Sequence, residues 1–105
     1  MKRAFVFVLV AACSKDADPG SCYRARDNAC AQYGRAEAAA GKRMCTGFDW
    51  NAGEDSCPRA NHLGICRKDG REETLYGGPP NQYTPDAAKS VCETGGGHFA
   101  AVPSR

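Results

Sequence analysis

Seven cysteines in a chain of 105 residues are the side chains with the most chemistry to offer. A thiol can be acylated, oxidised to a disulfide, bound to a metal or used as a nucleophile, and its neighbours and spacing select among these. Cys13 stands apart from the rest. It follows the small residues Val10-Ala11-Ala12, which come after the basic pair Lys2-Arg3 and the apolar run from Ala4 to Val10. The other six, Cys22, Cys30, Cys45, Cys57, Cys66 and Cys92, form an even set able to close three bridges in an oxidising compartment. No two cysteines are spaced Cys-x-x-Cys, so neither a zinc ribbon nor a thioredoxin-like redox site is indicated.

Val10-Ala11-Ala12-Cys13 resembles the lipobox of bacterial lipoproteins. That resemblance implies cleavage between Ala12 and Cys13, a diacylglycerol group on the Cys13 thiol and a further acyl chain, such as palmitate, on the new amino terminus. Each buried CH₂ contributes about 0.8 kcal/mol, so one chain holds weakly and two or more hold firmly. The run from Ala4 to Ala12 falls far short of the roughly 20 apolar residues that span a bilayer. The whole leader, twelve residues, is also shorter than the usual secretory leader of about 15 to 30 residues. An ordinary signal peptidase would accept Val10-Ala11-Ala12 as well, which leaves secretion without lipid as one alternative. A leader that is the first strand of the fold is the other. Ser14, next to the acylated cysteine, is compatible with transport to the outer membrane, and the expected location is its periplasmic face.

Composition limits what the rest can be. Removing the leader takes Lys2 and Arg3 from the fourteen basic residues and leaves twelve, matching the twelve acidic ones. A formally neutral mature chain argues against nucleic-acid partners and cationic membrane-lytic peptides, which need a basic surface. Large apolar residues are few: Met44, Phe48, Trp50, Leu63, Ile65, Leu75, Val91, Phe99 and Val102, supplemented by four tyrosines. So thin a core needs covalent staples.

Residues 1–12 are read as a signal peptide, 13–20 as a lipidated tether and 21–105 as a disulfide-stapled domain. The expected fold class is small α+β and disulfide-rich, with two pseudo-repeats at about 21–50 and 56–102, each made of short strands or a hairpin plus one helix. The repeat rests on Ser21-Cys22 and Cys30 against Ser56-Cys57 and Cys66, and on Cys45 against Cys92, with Phe48 matched to Phe99 behind glycines. Asp69-Gly70 predicts a hairpin between Leu63–Lys68 and Arg71–Tyr76, with Arg67 facing Glu72, Ile65 facing Thr74 and Leu63 facing Tyr76. Its other face would carry Cys66, Lys68, Arg71, Glu73 and Leu75. Thr84 and Pro85 predict a helix to about Glu93 with Gly95 as its left-handed stop, and His98 to Val102 a short strand. Ala29–Tyr33 reads as a strand, Arg35–Cys45 as a helix, and Trp50–Ser56 as a link between units. The preferred pairing is Cys30 with Cys45, Cys66 with Cys92 and Cys22 with Cys57. Sequential pairing, Cys22 with Cys30, Cys45 with Cys57 and Cys66 with Cys92, is the main competitor.

Catalytic and ligand motifs are sparse. Asp49 to Asp55 begins a little like a calcium loop, but Gly53 and Ala60 stand where ligands are wanted, and a solvated turn is the better reading. His62 and His98 belong to no spaced cluster. A nucleophile elbow, a phosphate-cradling glycine loop and a dinucleotide fingerprint are missing, and Gly95-Gly96-Gly97 follows a helix instead of opening one. Arg59 after Cys57-Pro58, or Arg67-Lys68 after Cys66, could serve as the reactive site of a secreted protease inhibitor. Trp50, Tyr76, Tyr83 and Phe99 are expected mostly in the core.

Cys22, Cys30-Ala31-Gln32-Tyr33, Cys57-Pro58, Gly64-Ile65-Cys66, Tyr76 and Cys92 followed by Gly96-Gly97 and Phe99 resemble a group of small cysteine-rich exported proteins of Gram-negative bacteria. The resemblance implies a shared fold and location and carries no activity. The expectation is a lipid-anchored envelope module that binds or displays, with no catalytic residues, no metal and no cofactor beyond the lipid on Cys13. Its partners would be the membrane and an envelope protein, without nucleic acid or small-molecule substrate. Mass spectrometry of the native protein should find Cys13 as the first residue, carrying the added mass of acyl chains; an unmodified Cys13 would leave plain secretion.

Overall fold

The computed structural model describes residues 18–69 and 71–102. Cys13, Ala12 and the leader lie outside the described residues, as does Gly70 of the expected turn. Six strands and two helices follow one another: β1 Gly20–Arg24, β2 Ala29–Tyr33, α1 Arg35–Met44, β3 Asp49–Ala52, β4 His62–Lys68, β5 Arg71–Tyr76, α2 Pro85–Thr94 and β6 His98–Ala101. The strands form one antiparallel sheet in the order β3-β1-β2-β5-β4-β6. Each half is thus a hairpin, a helix and an outer strand that returns beside the first strand of the hairpin. The domain holds more sheet than a strand-plus-helix pattern supposes: Gly20–Arg24, running from the expected end of the tether into the first repeat, and Asp49–Ala52, which enters the expected link at Trp50, are both strands.

Register explains the core. Residues paired directly across a sheet point to the same side, so Trp50, Cys22, Ala31, Glu73, Cys66 and Phe99 make one row across all six strands on one face. Cys22 bonds to Cys45 at the end of α1, and Cys66 bonds to Cys92 within α2. Both helices therefore lie on the face carrying this row. Beneath α1 sit Cys22, Ala31, Tyr33, Ala38 and Cys45, with Phe48 and Trp50 packed alongside. Beneath α2 sit Ala29, Cys66, Leu75, Ala88 and Cys92, with Leu63 and Phe99.

The third bridge joins Cys30 to Cys57 on the opposite face. This corrects two of the three preferred pairs and two of the three in the sequential competitor; Cys66 with Cys92 is common to both and present. The reason is strand alternation. Ala29, Ala31 and Tyr33 turn toward the helices, so Cys30 between them turns away and cannot reach α1. The structural counterpart of Cys66 is Cys22, and that of Phe99 is Trp50, so the expected matches of Cys30 with Cys66 and Phe48 with Phe99 are each displaced.

Local chemistry fixes the ends of the elements. Thr84 Oγ1 accepts the Ala87 N–H at 3.1 Å and Pro85 opens α2, while α1 is carried by its run of alanines, good helix formers. The left-handed residue after α2 is Gly96, at φ +91°, not Gly95; Gly47, at φ +88°, does the same after α1. In the β4–β5 hairpin, Arg67 faces Glu72 and Ile65 faces Thr74 as expected, but a bulge at Leu63 puts His62 opposite Tyr76 and Gly64 opposite Leu75. A Cβ at Gly64 would stand 2.7 Å from the Ala100 carbonyl oxygen and run into the Phe99 ring. Gly64→Ala is expected to cost about 2 kcal/mol, the typical penalty of overpacking, read as a lower denaturation midpoint with an unchanged slope. A neutral result would mean that β6 does not close on β4.

Candidate binding groove

The two helices do not pack on one another. α1 rides over β1 and β2, and α2 over β4 and β6, which at about 4.8 Å per strand sets their axes about 14 Å apart, against 8–10 Å for packed helices. Of the helix-facing residues of the two central strands, β2 and β5, Ala29, Ala31, Tyr33 and Leu75 are buried and Arg71 and Glu73 half-buried, so the groove between the helices is open to solvent on its floor only at Arg71 and Glu73. Glu37, Ala40 and Met44 of α1 line a cavity of about 180 Å³ there with Tyr33 and Arg71. The right-handed crossover that β-α-β connections take turns Ala87 and Val91 of α2 toward the same groove. Among the described residues, Met44, 65% exposed, and Val91, 48% exposed, are the exposed large apolar side chains, one on each wall.

An ion pair lies in the floor. Arg24 reaches from β1 across small Ala29 and Ala31 to Glu73, donating from Nη2 to Oε2 at 2.6 Å, and Glu73 is only 15% exposed. Arg24 Nε stands 3.3 Å from Asp27 Oδ2 without the alignment of a hydrogen bond, and Arg71 Nε is buried without an acceptor. Sequence reading missed Arg24 as a site residue. A signal for Glu73 was present, since the hairpin pattern set that carboxylate on the side of Cys66 and Leu75.

The opposite face is covered by the segment expected as a linker. Cys57 is bonded to Cys30, Ser56 Oγ lies 2.8 Å from Ser21 Oγ, and the Ser56 N–H donates to Gln32 Oε1 at 2.9 Å. Tyr76 packs edge-on against Tyr23, 5.6 Å between ring centroids, and its hydroxyl donates to the Pro58 carbonyl at 2.6 Å. Burial first, and then Tyr23, push the Tyr76 phenol far above the ordinary tyrosine range, while a hydrogen bond with Thr74 pulls the other way. At the far end, buried Asn28 donates from Nδ2 to the carbonyls of Tyr76 and Gly78, each at 2.9 Å.

Other expected site residues are spread out. His62 pairs with Tyr76 and His98 with Arg67, about 17 Å apart by strand rise. Asp49 and Asn51 lie in β3, and Asp55 pairs with Arg59 instead of gathering with them. Arg59 is exposed, but its guanidinium is held by Asp55 and its carbonyl accepts from the His62 N–H within a turn; an inhibitor's extended loop would leave both free. Arg67 pairs with Glu72. Among the described residues, no three His, Cys, Asp or Glu side chains converge as a metal-ligand set. All six cysteines of the domain are in disulfides.

Comparison with protein-family models, with curated proteins and with solved structures finds no match.

Tyr76 gives the domain a pH limit. Below the ordinary tyrosine value of about 10 both folded and unfolded chains keep the proton. Above it the unfolded chain ionises while the folded chain does not, so stability falls as pH rises, by up to about 1.4 kcal/mol per unit. Denaturant titrations across this range should show that slope in the native chain and lose it in Tyr76→Phe. An equal slope in both would remove Tyr76 as its source.

Proposed function

We propose that the protein is a lipid-anchored module of the bacterial cell envelope that works by binding or display, with the groove between α1 and α2 as its recognition surface. The observation that carries the reading is the division of the cysteines. Six are committed to bridges within the domain, and Cys13, behind Val10-Ala11-Ala12, is the one left over for acylation. From Cys13 to Gly20 the chain can reach about 25 Å at full extension, close enough to hold the domain at the bilayer surface. No helix among the described residues is long and apolar enough to cross a membrane; we take the lipid on Cys13 as the attachment and favour the periplasmic face of the outer membrane as the location.

We read the two halves as products of an internal duplication. Gly20 under Trp50 matches Gly64 under Phe99, Cys22–Cys45 matches Cys66–Cys92, and Gly47 matches Gly96. Such a pair of units leaves a groove at the join, and the Glu73 carboxylate in it is engaged by Arg24, which supports recognition as its role. Secretion as a protease inhibitor is the weaker alternative, because Arg59 is tied to Asp55.

Cell fractionation tests the anchor. The native chain is expected with the membranes and in the detergent phase, and Cys13→Ser in the aqueous phase; a membrane-bound Cys13→Ser chain would overturn it. A photo-crosslinking residue at Met44 of the anchored chain should give discrete adducts that the same residue at Ser90, on the outer surface of α2, does not. Equal labelling at both would remove the groove.

A further inference from the structure

Among the described residues the sheet ends in two unpaired strand edges, β3 and β6. On β6, the Val102 N–H donates to the Leu63 carbonyl, and antiparallel ladders alternate, so Ala100 and His98 also turn their backbone groups inward to β4. Phe99 and Ala101 must then turn theirs outward. Their two N–H and two C=O groups stand along the outer edge. His98–Ala101 itself contains no Asp, Glu, Lys, Arg or Pro, the residues by which edge strands are usually guarded; Pro103 follows only after Val102, beyond the backbone groups that would pair. β3 differs. Asp49 is exposed within it and the chain continues into Glu54-Asp55, so self-pairing there would line the seam with carboxylates.

We propose that β6 is a docking edge for β6 of a second copy of this chain, joining two six-stranded sheets into one across a two-fold axis at Ala100. In this register Phe99 faces the partner copy's Ala101 and Ala101 its Phe99, giving four backbone hydrogen bonds with every outward group used. His98 falls opposite Val102 and Ala100 opposite itself, so no like charges meet.

The helices support this choice of occupant. α2 lies over β4 and β6 about equally, which places its axis roughly 5 Å from the seam and sets the two copies of α2 about 10 Å apart, the spacing of packed helices. The right-handed crossover turns Lys89 and Glu93 toward the seam, four residues apart on one flank. The two-fold runs the helices antiparallel, so Lys89 of one copy meets Glu93 of the other, twice. An unrelated extended peptide would satisfy the strand but leave these charges unanswered. The axis stands perpendicular to the sheet; two copies anchored in one bilayer would therefore lie flat, with all four helices on the same side. The inference is independent of the anchor, since seam and lipid involve different residues.

Sedimentation of the full chain, oxidised and with detergent where acylated, tests it. The native chain is expected in a concentration-dependent monomer–dimer equilibrium. Ala101→Pro removes an outward N–H and no internal hydrogen bond, and should weaken association at least about tenfold while leaving thermal unfolding of the monomer unchanged. Lys89→Glu, on an exposed helical position away from the strand, should also weaken it, and combining it with Glu93→Lys should restore it. A native chain that stays monomeric at every concentration, or a dimer indifferent to both Ala101→Pro and Lys89→Glu, would overturn the proposal.

Discussion

One row of six residues governs this domain: Trp50, Cys22, Ala31, Glu73, Cys66 and Phe99, drawn one from each strand and facing the same way. Its two cysteines carry the helices, through Cys45 and Cys92, and its two aromatic rings close the outer flanks over Gly20 and Gly64. The hydrophobic term alone is small, because the buried set consists mainly of cysteine and alanine with a few larger side chains. Each bridge contributes a typical 2–4 kcal/mol by restricting the unfolded chain, a large share of the stability of a domain this size.

That arrangement has a spatial consequence. Because each helix is pinned to its own half of the sheet, and the pinned cysteines are separated by two strands, the helices stand too far apart to pack. Two small cores result in place of one, with Arg71 and Glu73 of β5 half-buried between them on the floor of the groove. Ala29 and Ala31 keep that floor low, which is why Arg24 can extend over β2 to Glu73. The third bridge, Cys30–Cys57, belongs to the other face and draws residues 53–61 beneath the sheet, where Tyr76, Ser21 and Gln32 meet them.

Much of this was legible in the chain and some was not, for physical reasons. β2, both helices and the β4–β5 register follow from alanine runs, a Thr-Pro cap and an Asp-Gly turn, all local signals. β1 and β3 were invisible because Gly20, Asp49 and Asn51 are poor strand formers; tertiary pairing forms them. The bulge at Leu63 has no local signature. The disulfides failed on a point that could have been resolved: in Ala29-Cys30-Ala31-Gln32-Tyr33 the apolar positions are odd-numbered, so Cys30 shares its side with Gln32 and not with the helix-facing set. Repeat matching by cysteine order overrode that parity, and the groove, a long-range result of two pinned helices, was lost with it.

The ion pair constrains what the groove can accept. Arg24 and Glu73 already satisfy each other over an alanine floor, and separating them in a partly buried setting would strand a carboxylate at a cost of several kcal/mol. A partner is therefore better placed against Met44 and Val91 on the walls, leaving the pair beneath it intact and more strongly coupled once water is excluded. Arg24 Nε and Arg71 Nε are both buried without an acceptor. Arg71 is the one of the two that lines the cavity beside Tyr33 and Met44, where an apolar contact and a hydrogen bond to an incoming carbonyl or carboxylate can be made together.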